Sequence, residues 1–366
     1  MDPGEHCPVV TSFVKVADGL APVSRLKLVG VTLLLSACSG PSAPPAPPAA
    51  PTILCPVSQS VQSPENLPMP ITFTMPAGSG GQAPLTVSCT ATSGSNFPLG
   101  QTVVTCTVRD SLQRQESCNF TVQVTATPKI SKTTFVAFGD SITDGVKSDP
   151  LVAVLSRPGL GFFRLGAEHS YPYKLNTLLG NRYSSQSLTI HNEGWGGETA
   201  STVWWPNDGR PVGEVRIREV LRNYNPQVLL LMEGTNDLYF SVPEGPPYGI
   251  SDIISALDRM IGDAQARFTQ VFIATIPPQR SGIEAGRTRV AQQIPVLNEE
   301  IRALALRRNV FLVDVYAALN SNINLYIGQD HLHPTEAGFQ KIAETFFDSI
   351  KQHLDITPVS ELSRRR

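Results

Sequence analysis

Two apolar rhythms divide the chain. Between residues 52 and 128, short alternating runs at 71–74, 85–89, 102–108 and 120–124 are separated by Pro, Gly, Ser and Asn. Alternation with that punctuation predicts half-buried strands, and several of them predict a small all-β sandwich. From 132 to about 355, apolar runs at 134–138, 187–191, 228–232, 270–275 and 310–315 predict buried strands. Amphipathic stretches at 215–223, 250–267, 289–308 and 334–354 predict helices between them. Strands alternating with helices predict an α/β fold with a parallel sheet covered on both faces. Ligands in such sheets sit beyond the carboxyl ends of the strands, so the residues following each strand carry the functional information.

Ahead of both regions lies Arg25-Leu26-Lys27-Leu28-Val29-Gly30-Val31-Thr32-Leu33-Leu34-Leu35-Ser36-Ala37-Cys38. Two positive charges lead an apolar run too short to span a bilayer, and small residues end it, which reads as an export signal. Leu35-Ser36-Ala37-Cys38 resembles the bacterial lipobox. The resemblance implies cleavage before Cys38 and lipidation of that cysteine, hence an exported lipoprotein anchored to a membrane and facing the periplasm or the cell exterior. The stretch before Arg25 is long for such a signal, so a start nearer Val23 is expected. The expected organisation is a signal region at 1–38, a Pro/Ala-rich spacer at 39–51, a β-domain at 52–128, a second domain at 132–355 and a solvated tail at 356–366.

Four cysteines fall in the β-region: Cys55, Cys89, Cys106 and Cys118. In an exported chain they suit disulfides better than a metal, because no Cys-x-x-Cys pair or nearby His completes a site. Three connectivities are open, of which Cys89–Cys106 with Cys55–Cys118 is favoured. The runs Val87-Ser88-Cys89, Val104-Thr105-Cys106-Thr107-Val108-Arg109-Asp110 and Cys118-Asn119-Phe120-Thr121-Val122 resemble the hyalin-repeat (HYR) domain, an immunoglobulin-like module. That resemblance implies adhesion or spacing, with surface proteins or glycans as partners.

The strand at 134–138 runs into Gly139-Asp140-Ser141. A serine at the mouth of a helix meets free backbone N–H groups that favour developing negative charge. It still needs a base to take its proton and donors for an oxyanion. Glycines follow the second predicted strand in Asn192-Glu193-Gly194-Trp195-Gly196-Gly197-Glu198-Thr199 and let backbone N–H groups approach a ligand closely. Gly234-Thr235-Asn236-Asp237 follows the third, and the Asn236 amide is a donor suited to an oxyanion. Asp330-His331-Leu332-His333-Pro334 opens the last helix. Asp330 can accept from one nitrogen of His333 and leave the other to face Ser141. Asp330, His331 and His333 as metal ligands is the weaker reading, since no further ligand cluster stands out.

Gly139-Asp140-Ser141, Gly197, Gly234-Thr235-Asn236-Asp237 and Asp330-x-x-His333 resemble the four blocks of the GDSL, or SGNH, hydrolases. Alignment on Asn192 and Thr199 selects Gly197 from the three glycines of its loop. Ile142 stands where the eponymous Leu is expected and Glu198 where Asp is frequent. The resemblance implies a flavodoxin-like three-layer α/β/α domain with a five-stranded parallel sheet. It implies Ser141 as nucleophile, His333 as general base and acid, and Asp330 as its orienter. The oxyanion hole would come from the Ser141 and Gly197 N–H groups and the Asn236 side chain, with no cofactor. An ordinary α/β-hydrolase would need a Gly-x-Ser-x-Gly elbow, which the chain does not contain.

Composition narrows the function classes. With 29 Lys and Arg against 31 Asp and Glu, the net charge of −2 gives no electrostatic case for nucleic-acid binding. The expected activity is ester hydrolysis on acylated carbohydrate or small-acyl esters. A lysophospholipase- or thioesterase-like lipid esterase is the alternative within that class, and an adhesion protein with an inactive hydrolase fold the alternative outside it. Trp195, Trp204 and Trp205, with Phe162-Phe163-Arg164 in a long connection after Ser141, are candidates for stacking on sugars or lining an acyl pocket.

Overall fold

The computed structural model describes residues 46–146, 167–246, 248–282 and 285–358. The lipobox cysteine Cys38, Phe162-Phe163-Arg164 and the Arg364-Arg365-Arg366 tail lie outside the described residues.

The β-region holds β1 (Pro51–Ile53), β2 (Gln59–Ser63), β3 (Met69–Pro70), β4 (Gly78–Gly80), β5 (Thr86–Cys89), β6 (Asn96–Phe97), β7 (Gly100–Arg109) and β8 (Gln115–Ala126). A four-stranded sheet in the order β2-β8-β7-β5 is joined by the ribbons β1-β4 and β3-β6. Its core is built on Ile71, Phe73, Phe97, Val104, Phe120 and Val122. Cys55 pairs with Cys118 and Cys89 with Cys106. The expected strand at 71–74 is absent. Ile71 and Phe73 are buried alternately as a strand would bury them, but their backbone partners are a loop: Phe73 N–H donates to Ser93 Oγ and Ile71 N–H to Ser95 O. Alternation reports side-chain burial here and says nothing of what pairs with the backbone.

The second region begins with β9 (Thr134–Gly139), β10 (Thr189–Gly194), β11 (Val228–Met232), β12 (Gln270–Ala274) and β13 (Phe311–Val313), all parallel, in the order β10-β9-β11-β12-β13. Helices α1 (Ser141–Asp144), α2 (Tyr171–Arg182), α3 (Gly213–Tyr224), α4 (Thr235–Ser241), α5 (Ile250–Gln265), α6 (Ala285–Arg308), α7 (Val315–Asn320), α8 (Ile323–Tyr326) and α9 (Glu336–Leu354) connect and cover the sheet. Along β9 the side chains alternate between two cores. Val136 and Phe138 pack with Ile217, Leu221, Leu257 and Leu297 from α3, α5 and α6. Phe135 and Ala137 pack with Leu175, Phe339 and Phe346 from α2 and α9. Both faces are therefore sealed, which is why the strands read as continuous apolar runs.

The strand order reverses at β9: the chain steps outward to β10, then returns to β11 on the other side. Such a switch point leaves a crevice at the carboxyl ends of the strands. Here those are the ends of β9 and β11, the strands that precede Ser141 and Asn236. The second strand runs Thr189–Gly194 rather than 187–191. As an edge strand pairing with β9 alone, β10 keeps polar His191, Asn192 and Glu193 only partly buried, and their polarity masks its extent in the sequence.

A candidate active site at the sheet switch point

Local rules fix the position of Ser141. Gly139 ends β9 so close to β11 that a Cβ there would lie 2.2 Å from the Met232 carbonyl oxygen. Asp140 then caps α1, its Oδ1 accepting from Ile142 N–H at 2.9 Å. Gly145 closes the same short helix in the left-handed region at φ 100°. Ser141 is the first helical residue and has no acceptor within the helix for its own N–H.

His333 reaches Ser141 from a loop 192 positions later, with Nε2 2.9 Å from Ser141 Oγ. Asp330 Oδ2 lies 2.6 Å from His333 Nδ1, and Asp330 Oδ1 accepts from the N–H groups of Leu332 and His333, each at 3.0 Å. A carboxylate so placed accepts a hydrogen bond from Nδ1–H and leaves Nε2 free to accept from the serine hydroxyl. Burial alone would raise the Asp330 pKa. The hydrogen bond and charge of His333, with the two backbone donors, outweigh it and hold the carboxyl at about 2.

The loop after β10 is packed onto this corner. Trp195 N–H donates to Gly139 O at 2.8 Å, and a Cβ on Gly194 would meet Asp144 N at 2.0 Å. Gly197 has φ 79°, a conformation that favours glycine. Asn236 Nδ2 donates to the carbonyl of Glu198 at 2.7 Å, so the amide is aimed by the loop that carries Gly197. Ser141, His333 and Asp330 thus form one hydrogen-bonded chain, while Gly197 and Asn236 are joined to each other through Glu198.

Two further residues support the site: Asp237, which ends the Gly234–Asp237 block but whose role is not legible there, and Arg216, which belongs to no motif. Buried Asp237 accepts from Ala200 N–H at 2.7 Å and Ser201 N–H at 2.8 Å, pinning the far end of the same loop to α4. Burial, only partly offset by those bonds, pushes its pKa to about 7. Arg216 grips Glu198 with Nε at 2.7 Å and Nη2 at 2.5 Å and lies over the Phe138 ring at 4.2 Å. An arginine on an amphipathic helix reads as solvated, and nothing in its spacing marks it as inward. Buried Asp140 is pushed up to about 6 by desolvation, against the pull of its cap bond and of His333. Of the tryptophans, Trp195 is about half exposed beside the site. Trp204 instead packs under Gly249, and Trp205 Nε1 donates to Arg210 O at 2.9 Å. His331 bonds the Arg280 carbonyl through Nδ1 at 3.2 Å rather than joining a ligand set.

The sequence profile of the GDSL-like Lipase/Acylhydrolase family matches residues 137–341, and that of the HYR domain matches residues 48–124. The chain belongs to the GDSL-like lipase/acylhydrolase family. A "Multidomain esterase" of Ruminococcus flavefaciens is 23% identical over 175 residues, covering 47% of this chain and 20% of that protein. The chain thus spans about a fifth of the length of the curated relative it matches. Among solved structures, a carbohydrate acetylesterase from Sinorhizobium meliloti aligns with 60% of this chain and 99% of its own, at 19% identity and a TM-score of 0.47. An aryl esterase from M. smegmatis aligns over 60% of this chain and 99% of its own, at 18% identity and a TM-score of 0.47. In this GDSL-family chain, the all-β region that the HYR profile matches precedes the parallel sheet.

Proposed function

We propose that this GDSL-family chain is a serine esterase that cleaves carboxylic esters through an acyl-enzyme. The observation that carries the reading is the hydrogen-bonded chain from Ser141 Oγ through His333 to Asp330. Ser141 Oγ attacks the ester carbonyl carbon as its proton passes to His333 Nε2. The imidazolium is held by Asp330, whose carboxyl stays ionised throughout. The tetrahedral oxyanion is met by the N–H groups of Ser141 and Gly197 and by Asn236. Collapse breaks the carbon–oxygen bond to the alcohol, which leaves with the Nε2 proton. Water then gives a proton to Nε2 and attacks the acyl carbon, and the second collapse returns the proton to Ser141 Oγ.

The substrate reading is an acylated carbohydrate or another small-acyl ester. Its support is the half-exposed Trp195 next to the β9 terminus, a face on which a sugar ring can stack. Turnover on p-nitrophenyl esters of rising acyl length tests it. A fall in kcat/KM beyond short acyl groups agrees with the proposal, and a rise toward long chains favours a lipid esterase. Ser141→Ala should be inactive on every ester. In this reading Cys38 is lipidated and tethers the enzyme to a membrane outside the cytoplasm, and the HYR domain lifts it toward surface glycans or proteins. The support is the Arg25–Cys38 pattern and the Pro/Ala spacer. Metabolic labelling with an alkyne fatty acid, lost in Cys38→Ala, tests that part.

A further inference from the structure

The loop that carries Asp330 and His333 is tied to the sheet through one residue of the loop after β12. Arg280 N–H donates to His331 O at 3.0 Å, and His331 Nδ1 lies 3.2 Å from Arg280 O. A carbonyl only accepts, so that nitrogen carries the proton. The Arg280 guanidinium reaches further and donates from Nη2 to Gly328 O, the same oxygen that accepts from His331 N–H at 3.1 Å. Gly328 N–H in turn donates to His333 O at 2.9 Å, closing the loop on the imidazole-bearing residue itself. To make these bonds His331 adopts φ 65°, a conformation that favours glycine, and buried Arg280 Nε has no partner among the described residues. The base of the clamp is rigid. Ile276 is bonded at both its N–H (2.7 Å) and its carbonyl (2.9 Å) by the fully buried Asn298 side chain of α6, and Pro277-Pro278 carries the chain on to Gln279 and Arg280.

We infer that Arg280 is a positioning residue: with His331 it clamps the 328–333 loop to the end of β12 and so sets the distance between His333 and Ser141. The inference rests on the esterase reading; the bonds of Arg280 go to Gly328 and His331 of the loop, not to Ser141 Oγ or the His333 ring. Misplacement of a catalytic group by about 1 Å costs on the order of a hundredfold, which sets the upper end of the loss expected when this anchor is removed.

The test is p-nitrophenyl acetate turnover by the full chain, with working sites counted by fluorophosphonate titration. Arg280→Ala should lower kcat per titrated site about ten- to a hundredfold, with KM within about twofold. Arg280→Lys, which keeps one donor for Gly328 O, should regain most of the loss. His331→Gly admits the same backbone conformation without the ring, and should lower kcat about three- to tenfold. Combining Arg280→Ala with His331→Gly should cost less than the product of the two separately, because both act on one loop. If Arg280→Ala does not fold, the Lys and Gly variants still decide the matter. Wild-type kcat per site in Arg280→Ala, a Lys variant no better than Ala, or multiplicative losses overturn the clamp. Wild-type protein that does not label at Ser141 defeats the esterase reading instead, whereas wild type that labels while the Arg280 variants match it defeats only the clamp.

Discussion

Replacing Asp330 by Asn isolates the part of the site that the structure specifies most tightly. The carboxylate accepts from His333 Nδ1–H at 2.6 Å on Oδ2, and from the backbone N–H groups of Leu332 and His333 at 3.0 Å on Oδ1. An asparagine has a single acceptor oxygen. Keeping it on the two backbone donors turns the amide NH2 toward Nδ1, which must then accept, and the ring proton moves to Nε2. In that tautomer Nε2 donates to Ser141 Oγ and cannot take its proton. The opposite flip strands two backbone donors, so neither orientation restores the site. The interaction being removed is strong, since the carboxyl is held at about 2 against an ordinary 3.8, a difference worth about 2 kcal/mol. The kinetic cost is larger, because the base is lost rather than weakened: kcat should fall by about 10⁴, or about 5.5 kcal/mol in the barrier. The assay is p-nitrophenyl acetate hydrolysis at saturating substrate, with circular dichroism to confirm the fold. An Asp330→Asn enzyme retaining about a tenth of wild-type kcat would refute the tautomer argument, since the base would then have survived.

Other consequences follow from the same geometry. Asn236→Ala removes one oxyanion donor and should lower kcat about a hundredfold or more with little change in KM; a near-normal rate removes Asn236 from the oxyanion hole. Gly194→Ala places a methyl 2.0 Å from Asp144 N, and should cost about 3 kcal/mol of stability or displace α1. A melting temperature and kcat both equal to wild type contradict that packing. Asp140 and Asp237 have pKa values raised to about 6 and about 7 from an ordinary 3.8, so above pH 3.8 the folded chain holds protons that the unfolded chain has released. Stability should therefore fall as pH rises from about 4 to 7, by about 3 to 4 kcal/mol for each group. Calorimetry finding the melting temperature unchanged or higher at about pH 8 than at about pH 5 would show these carboxyls to be ionised throughout.

The sheet is legible in the sequence because its strands are sealed on both faces: Val228–Met232 reads as five apolar residues in a row and is a strand over that same span. The chain order of Gly139-Asp140-Ser141, Gly197, Asn236 and Asp330-x-x-His333 carries the site because each group follows a strand or opens a helix. What stays hidden is held by tertiary partners with no local signature. Ile71 and Phe73 bond their backbones to the 93–95 loop rather than to a strand, while their buried side chains give the alternation of one. The apolar pattern does not predict the helices Tyr171–Arg182 and Thr235–Ser241. The first exposes Tyr173 and carries an internal glycine, and the second is a single short run whose start doubles as the Asn236 block. Arg216, Asp237 and Arg280 act by gripping loops from other elements, and only the folded arrangement reveals which loop each one holds.

The most direct measurement is mass-spectrometric mapping of a fluorophosphonate adduct on the intact chain. A hydroxyl whose proton is drawn off by His333 should carry the adduct on Ser141 stoichiometrically, and Ser141→Ala and His333→Ala should abolish it. Adduct spread over other serines, or unchanged labelling without His333, would contradict the account.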